Sequence, residues 1–473
     1  MHYHDYWLVA QAVYATLSMG RWDDAKQYLA NASELVPGGQ PMFLSSHQLH
    51  RGCQAILTGN PSEALRHATD ALGHAREWPF VETQCHLALM QALLECGRQE
   101  EVGPHLEKAS RLAQETNCQH FVQLALFAQA QMDLDLSDRK QNRKPEKQAV
   151  ERGLSALLRA MVIGREQGYV NHPWWRPSVM ARLCAKALEH GIEVDYVRDL
   201  IRKRHLVPDS PPYAIETWPW PVKVYTLGRF SILLDDQPLS MGRRSQHGKP
   251  LALLKALIAH GGRDVGQSEL AEALWPEADG DTARRAFDTT LHRLRKLLGE
   301  EAIALADGRL TLDPKRVWVD LWSVERLIRD LDQTLKRPSP DSEAVCATAE
   351  KLFRLYPGPF LREESDAAWA VSRREKIHGR LVALLGELGR CWERGKDWER
   401  AVACYQRGID LDPLVEPFYQ RLMLGYQTLG RRAEALATYR RCRETLHAQL
   451  QIPPSPATET IHQQIRAGAS QPS

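Results

Sequence analysis

The sequence predicts a mainly α protein in which paired-helix repeats lie on both sides of a central segment carrying small antiparallel sheets. Three observations lead there. Glycine-punctuated helical repeats occur near the N-terminus, a stricter repeat follows residue 385, and between them apolar residues alternate at every second position. At 473 residues the chain is too long for one hydrophobic core, and the usual domain size of about 100–200 residues suggests roughly three.

In the N-terminal part Gly20, Gly59 and Gly97 are separated by 39 and 38 residues. Five positions after each stands a small or apolar residue, Ala25, Ala64 and Val102. Glycine ends one helix, the small residue lets the next helix pack closely, and Pro37 is expected to stop that second helix. Such units cannot bury their apolar faces alone and must stack. After residue 385 Leu388, Gly389, Trp392, Ala401, Tyr405, Gly408 and Pro413 sit at tetratricopeptide-repeat offsets. Ala435 and Tyr439 repeat Ala401 and Tyr405 after 34 residues.

Two stretches punctuate this order. Asp138 to Lys147 is charged and aperiodic and reads as an exposed loop. Pro208 to Pro221 holds five prolines and reads as a stiffened interdomain connector. The expected division is a repeat array over 1–207, a linker over 208–221, a central domain over 222–320, further repeats over 321–466 and a disordered tail over 467–473.

In the central segment Val222, Val224 and Thr226, then Phe230, Ile232 and Leu234, alternate around Gly228 and predict a small antiparallel sheet. Helices are predicted over Pro250 to His260, over Gln267 to Leu274, and from about Asp281 to Leu298, where Gly299 ends the third. On that third helix Phe287, Leu291, Leu294 and Leu298 form one apolar stripe. Arg285, Thr289, His292, Arg293 and Lys296 repeat the spacing on the far side, with Asp288 beside them. Guanidinium forks suit guanine edges, threonine methyls suit thymine, and cations suit phosphate, so this face matches a helix entering a major groove. A basic helix face is also the ordinary form of a solvated surface. Asp307-Gly308 signals a two-residue hairpin, with Arg309 at its tip able to enter a minor groove. Arg243-Arg244, before the first of these helices, reads as a plain exposed pair.

Sheet, three helices and hairpin, with Arg285-Ala286-Phe287-Asp288-Thr289-Thr290-Leu291-His292-Arg293-Leu294-Arg295-Lys296 as third helix, resemble the winged helix-turn-helix effector domain of OmpR-type response regulators. The resemblance implies base-proximal roles for Asp288, Thr289, His292 and Arg293, and phosphate roles for Arg285, Thr290, Arg295 and Lys296. His292 departs from the longer basic side chain more usual there. Leu355-Tyr356-Pro357-Gly358-Pro359-Phe360-Leu361, Trp369 and the repeats ending in Ile452-Pro453-Pro454-Ser455-Pro456 are similar to the bacterial transcriptional activator domain that follows such a winged helix in antibiotic-pathway regulators. The N-terminal part resembles the helical arrays of maltose-activator-type regulators. Their nucleotide-binding motif, G-x-x-x-x-G-K-[ST], does not occur here, as expected of a fragment or a short form.

These resemblances imply a cytoplasmic transcription regulator, an activator, with double-stranded DNA as its partner. They also imply a signal protein or ligand at the N-terminal repeats, and another copy or RNA polymerase at the C-terminal ones. The alternative is a repeat scaffold that uses the winged helix to bind protein. The net charge of +2 separates neither reading, since what matters is where the cations cluster. Nine cysteines without a C-x-x-C and eighteen histidines without an H-x-x-x-H give no metal signature, and no nucleophile has an identifiable base. No enzyme activity, cofactor or membrane attachment is therefore expected. His172-Pro173-Trp174-Trp175 could line a ligand pocket, but packing of the array's last helices is the plainer reading.

Overall fold

The computed structural model describes residues 3–36, 40–139, 147–208, 210–239 and 248–468. Its contacts divide the chain into two compact units, Met1–Pro219 and Trp220–Ser473, so the central segment and the C-terminal repeats fall in one unit. Pro37, Arg243-Arg244, residues 140–146 of the expected charged loop and residues 469–473 of the expected tail lie outside the described residues.

The first unit is a succession of helices: α1 (Tyr3–Ser18), α2 (Trp22–Leu35), α3 (Pro41–Leu57), α4 (Pro61–His74), α5 (Pro79–Glu95), α6 (Val102–Glu115), α7 (Gln119–Arg139), α8 (Lys147–Gln167), α9 (Pro177–Glu189) and α10 (Val194–Arg204). Consecutive helices pack as hairpins, and the turns inside the first three pairs are alike. Gly20, Gly59 and Gly97 take φ of +69°, +84° and +76°, a region that only glycine enters without strain. Their amides donate to Leu17, Ile56 and Leu94, and the next amides, of Arg21, Asn60 and Arg98, reach back to Thr16, Ala55 and Leu93. This pattern satisfies the last carbonyls of each first helix. Ala25, Ala64 and Val102 are each 0% exposed, so the small side chain after each turn is where the two helices meet. The proline-rich stretch is folded into turns rather than extended. Tyr213, Ile215 and Trp218 donate amides to Pro211, Pro212 and Ile215, and all three side chains are buried.

The second unit opens on β1 (Val222–Tyr225), β2 (Ser231–Leu234) and β3 (Gln237–Pro238), followed by α11 (Gly248–Ala259), β4 (Val265–Gly266), α12 (Gln267–Leu274) and α13 (Gly280–Leu298). Then come β5 (Ile303–Ala306), β6 (Arg309–Leu312), β7 (Val317–Val319), α14 (Asp320–Leu335), α15 (Ser342–Leu355), α16 (Ala368–Arg394), α17 (Trp398–Leu411), α18 (Glu416–Thr428), α19 (Arg432–Leu450) and α20 (Pro456–Ala467). Among the described residues one sheet has the order β3-β2-β1-β7 and the other β4-β6-β5. The first corrects the expectation of purely antiparallel sheets, because β7 runs parallel to β1, with Val222, Lys223 and Val224 opposite Val317, Trp318 and Val319. All three residues of β7 are fully buried, which gives it a continuous apolar run instead of an alternating pattern.

In α16 to α19 the repeat residues meet as their spacing requires. Ala401, Tyr405 and Ala435 are at most 1% exposed. A Cβ on Gly389 would lie 2.2 Å from the ring of Tyr405, and one on Gly408 would lie 2.7 Å from Phe418, so neither glycine has room for a side chain.

One buried carboxylate joins the two halves of this unit. Asp320, 2% exposed at the start of α14, accepts from the Thr226 amide (2.8 Å), the Thr226 hydroxyl (2.7 Å), the Leu227 amide (2.8 Å) and the Leu321 amide (2.7 Å). Burial pushes its carboxyl up to about 6 against the pull of those donors, so at neutral pH it is the ionised acceptor they need. Thr226 also accepts the Leu361 amide (2.8 Å), and Gly228 donates to Pro359 (3.1 Å). Arg374 completes the junction by donating to the carbonyls of Phe360 (2.9 Å), Leu361 (2.7 Å) and Glu364 (3.1 Å).

Asp320→Ala would leave several buried donors without an acceptor, and an expected cost of about 3 kcal/mol or more follows. Urea unfolding of the variant should show a clearly lowered midpoint for the second unit; an unchanged midpoint would refute the anchoring role. The first unit carries the opposite liability toward acid. Burial lowers His47 and His86 to about 4 and His172 to about 3, so folding favours their neutral forms. The unfolded chain then binds more protons between pH 6.5 and about 4, and stability that is complete above pH 6.5 is lost as pH falls through that window. Urea titrations at pH 7.5 and 5 should show the first unit's transition moving to lower urea at pH 5.

Candidate nucleic-acid interface

Helix α13 is set by a cap and a core. Asp279 accepts the Thr282 amide at 2.8 Å, which starts the helix at Gly280 and holds that carboxyl below its ordinary range. Phe287, Leu291, Leu294 and Leu298 are 0%, 4%, 0% and 6% exposed, and this stripe packs on α11, whose Leu253, Leu254 and Leu257 are also fully buried. Each such side chain contributes about 1.5–3 kcal/mol of burial, which fixes how far the helix is rotated about its axis.

That rotation decides what faces solvent. Arg285, Asp288, Thr289, His292, Arg293 and Lys296 are all exposed. Arg284, absent from the sequence expectation, is exposed alongside them. Cations outnumber the carboxylates Asp281 and Asp288 on this face, and Asp288 accepts from the Gln267 side chain of α12 at 3.3 Å. Thr289 donates its hydroxyl to Arg285 O at 2.9 Å.

Two of the nine expected contact residues are placed otherwise. Thr290 is 6% exposed and its hydroxyl donates to Ala286 O at 2.7 Å, because it stands between Phe287 and Leu291 at the edge of the apolar stripe. Arg295 is half-buried, with Nε donating to Ile303 O at 3.2 Å; the carbonyl occupies one of its five donors.

Strands β5 and β6 pair in register from Ile303–Leu312 to Ala306–Arg309 around Asp307 and Gly308, both at positive φ (+49° and +71°), the geometry of a type I′ turn. Arg309 is exposed at this tip and donates to Asp264 O at 2.8 Å and Asp264 Oδ2 at 3.3 Å. An exposed pair of this kind is worth about 0–1 kcal/mol and is readily exchanged for another anion. The Gln267 amide donates to Gly308 O at 2.8 Å, tying the tip to the start of α12. A groove of about 650 Å³ runs between them, lined by Gln267, Ser268, Trp275, Arg284 and Arg309. Hairpin tip, start of α12 and first turns of α13 thus share one surface. Its Gln267, Ser268 and Arg284 were not singled out from the sequence, where only the periodicity of Arg284 with Asp288 could have drawn attention to it.

Comparison with known proteins gives the same half of the chain a context. The bacterial transcriptional activator domain model matches residues 319–466. Regulatory protein AfsR of Streptomyces griseus is 25% identical over 266 residues, 55% of this chain and 26% of that protein. Transcriptional regulator RedD of Streptomyces coelicolor is 28% identical over 252 residues, 52% of this chain and 71% of that one. Transcriptional regulatory protein EmbR of Mycobacterium tuberculosis is 25% identical over 264 residues, 50% and 62% of the two chains. The solved structure of EmbR in complex with a low-affinity phosphopeptide aligns at 23% identity over 54% of this chain and 66% of that one, with a TM-score of 0.41. The chain spans about a quarter of AfsR and under two thirds of EmbR. No described helix is long and apolar enough to cross a membrane. The second unit thus contains a segment similar to the bacterial transcriptional activator domain, and the relatives matched over this half of the chain are named as transcription regulators, not enzymes.

Proposed function

We propose that this protein is a transcription activator whose residues 222–320 form a winged helix-turn-helix that binds promoter DNA. In this reading α13 enters the major groove and the hairpin β5–β6 lies against the adjacent minor groove. The observation that carries it is the exposed cationic face of α13 beside Arg309, on a helix whose opposite face is locked into the core. Arg293, His292, Thr289 and Asp288 are the residues assigned to base edges, and Arg284, Arg285 and Lys296 to phosphate. Arg309 is assigned to the minor groove, where negative potential is concentrated. Arg295 keeps a phosphate role through the donors that Ile303 leaves open. Thr290 is given none, since its hydroxyl is committed within the helix.

The names of the relatives support the regulatory part of this reading. The C-terminal helices α16 to α20 are then the surface for a second copy or RNA polymerase, and the helices of the first unit are the receiver of a signal, in keeping with the docking role that helical repeats commonly play.

Arg293→Ala is expected to weaken binding to a selected operator by about 1–3 kcal/mol while leaving random duplex largely unaffected. Lys296→Ala should lower affinity evenly for both and reduce the salt slope by about one. Gel-shift titrations at several salt concentrations read both effects. Unchanged binding in both variants, or wild-type protein that shifts no duplex at low salt, would sink the DNA reading and leave the scaffold alternative.

A further inference from the structure

The first unit contains a cavity of about 450 Å³ at one end of the helical array, a volume within the range of small-molecule sites. The segment after α8 that carries His172, Trp174 and Trp175 forms part of its wall, together with Trp22 and Leu57. Trp174 holds φ at +73°, a conformation that costs a bulky residue of order 1–3 kcal/mol and persists only where the surroundings enforce it. A Cβ on Gly52 of α3 would lie 3.2 Å from its ring, so that helix is shaped to receive the indole.

The polar side of the cavity is distinctive. Lys203, Arg204 and His205 from the end of α10 line it with Asn171, and no aspartate or glutamate does. Asn171 donates to the Tyr14 hydroxyl (2.9 Å) and the Ser18 hydroxyl (2.8 Å), while Arg204 donates one nitrogen to Ser18 O (2.9 Å). His172 and Trp175 are 7% and 3% exposed, yet His172 Nε2 and Trp175 Nε1 have no hydrogen-bond partner. Buried polar atoms nearly always have one, so these two nitrogens, set behind the wall, are among the few unpaired groups of the described residues, while the polar groups a ligand could reach are the cations. A neighbouring cavity of about 470 Å³ shares Tyr14 and Trp174 with it but is lined by neither lysine nor arginine, so the cations mark one of the two.

We propose that this cavity binds a small amphiphilic anion, with an aromatic or aliphatic body against Trp22, Leu57, Trp174 and Trp175 and a carboxylate or phosphate held by Lys203 and Arg204. The ligand is then the signal that the first unit receives, so the inference deepens that part of the functional reading. Cations in the last turn of α10 also complement its helix dipole, which by itself calls for no ligand. Arg202 separates the two accounts, because it belongs to the same helix end but does not line the cavity.

The test is isothermal titration of the full chain with 1-naphthylacetate, 1-naphthyl phosphate and the uncharged 1-naphthaleneacetamide. At least one anion is expected to bind about tenfold or more tighter than the amide, the margin of one charge-assisted hydrogen bond, and the tighter of the two names the head group. The double variant Lys203→Gln, Arg204→Gln should bring the anions down to the amide's level, with Arg202→Gln unchanged and circular dichroism showing all variants folded. Lys203→Gln alone, at an exposed position, should already weaken anion binding. No anion binding up to about 1 mM, equal binding of amide and anions, or indifference to both cavity variants would overturn the proposal. Duplex gel shifts on the same preparations keep a failure of this site distinct from a failure of the DNA reading.

Discussion

Asp320 is the constraint on which the second unit depends. A carboxylate removed from water is costly unless donors replace its hydration, and here four groups from three residues do so within 2.7–2.8 Å. Two of those residues, Thr226 and Leu227, follow β1, and Asp320 follows β7, so the same knot that satisfies the charge holds two parallel strands together at their ends. The backbone of Thr226 to Gly228 then receives the 359–361 segment, and Leu227 forms an isolated bridge with Phe360. A Cβ on Gly358 would lie 3.2 Å from Gly228 Cα, which shows how closely the two backbones approach. Lys255 of α11 adds an ion pair with Glu364 at 2.5 Å and lies over the Phe230 ring. The segment proposed to read DNA and the part of the chain similar to the transcriptional activator domain are therefore joined by buried hydrogen bonds rather than by a flexible tether.

What the sequence made legible is what local physics decides. The three helices of the central segment were readable from periodicity and from proline and glycine punctuation, and Asp307-Gly308 from the turn it favours. The repeat glycines at 20, 59 and 97 were readable because a helix that ends in the left-handed region needs glycine, and they occupy that region. The misses are non-local. Strand β7 is three residues long and pairs with a strand about ninety residues earlier, so neither length nor alternation announces it. Asp320 entered the sequence reading only as the end of the central segment, because the Thr226 that gives it its role lies 94 residues away. The phosphate role of Thr290 came only from the resemblance, whereas its place between Phe287 and Leu291 turns it inward. In the 208–221 stretch prolines drew the eye, but Tyr213, Ile215, Trp218 and Trp220 decide its state by burying their side chains.

The charged face of α13 illustrates how a core specifies a surface. Nothing in Arg285, Arg293 or Lys296 chooses its direction; the four buried residues on the other side do, and an error of two residues would turn the helix by about 200° and send the cations into α11. The N-cap at Asp279 and the left-handed exit at Gly299 bound the helix so that this phase is kept over its whole length. A surface set by a rigid core loses little backbone freedom on meeting a rigid partner, which favours selective contacts.

The two units manage buried polarity in different ways, and the contrast bears on function. In the second, the buried Asp320 is saturated by donors, as expected of a group whose role is to hold shape. In the first, histidines are kept neutral by burial and two ring nitrogens stay unpaired beside a cavity that cations line. A stable fold needs polar groups satisfied from within, and a receptor needs some satisfied from outside. By that criterion the Asp320 knot is built to hold one geometry, whereas the cations that line the cavity around Trp174 leave charge for an external ligand to meet.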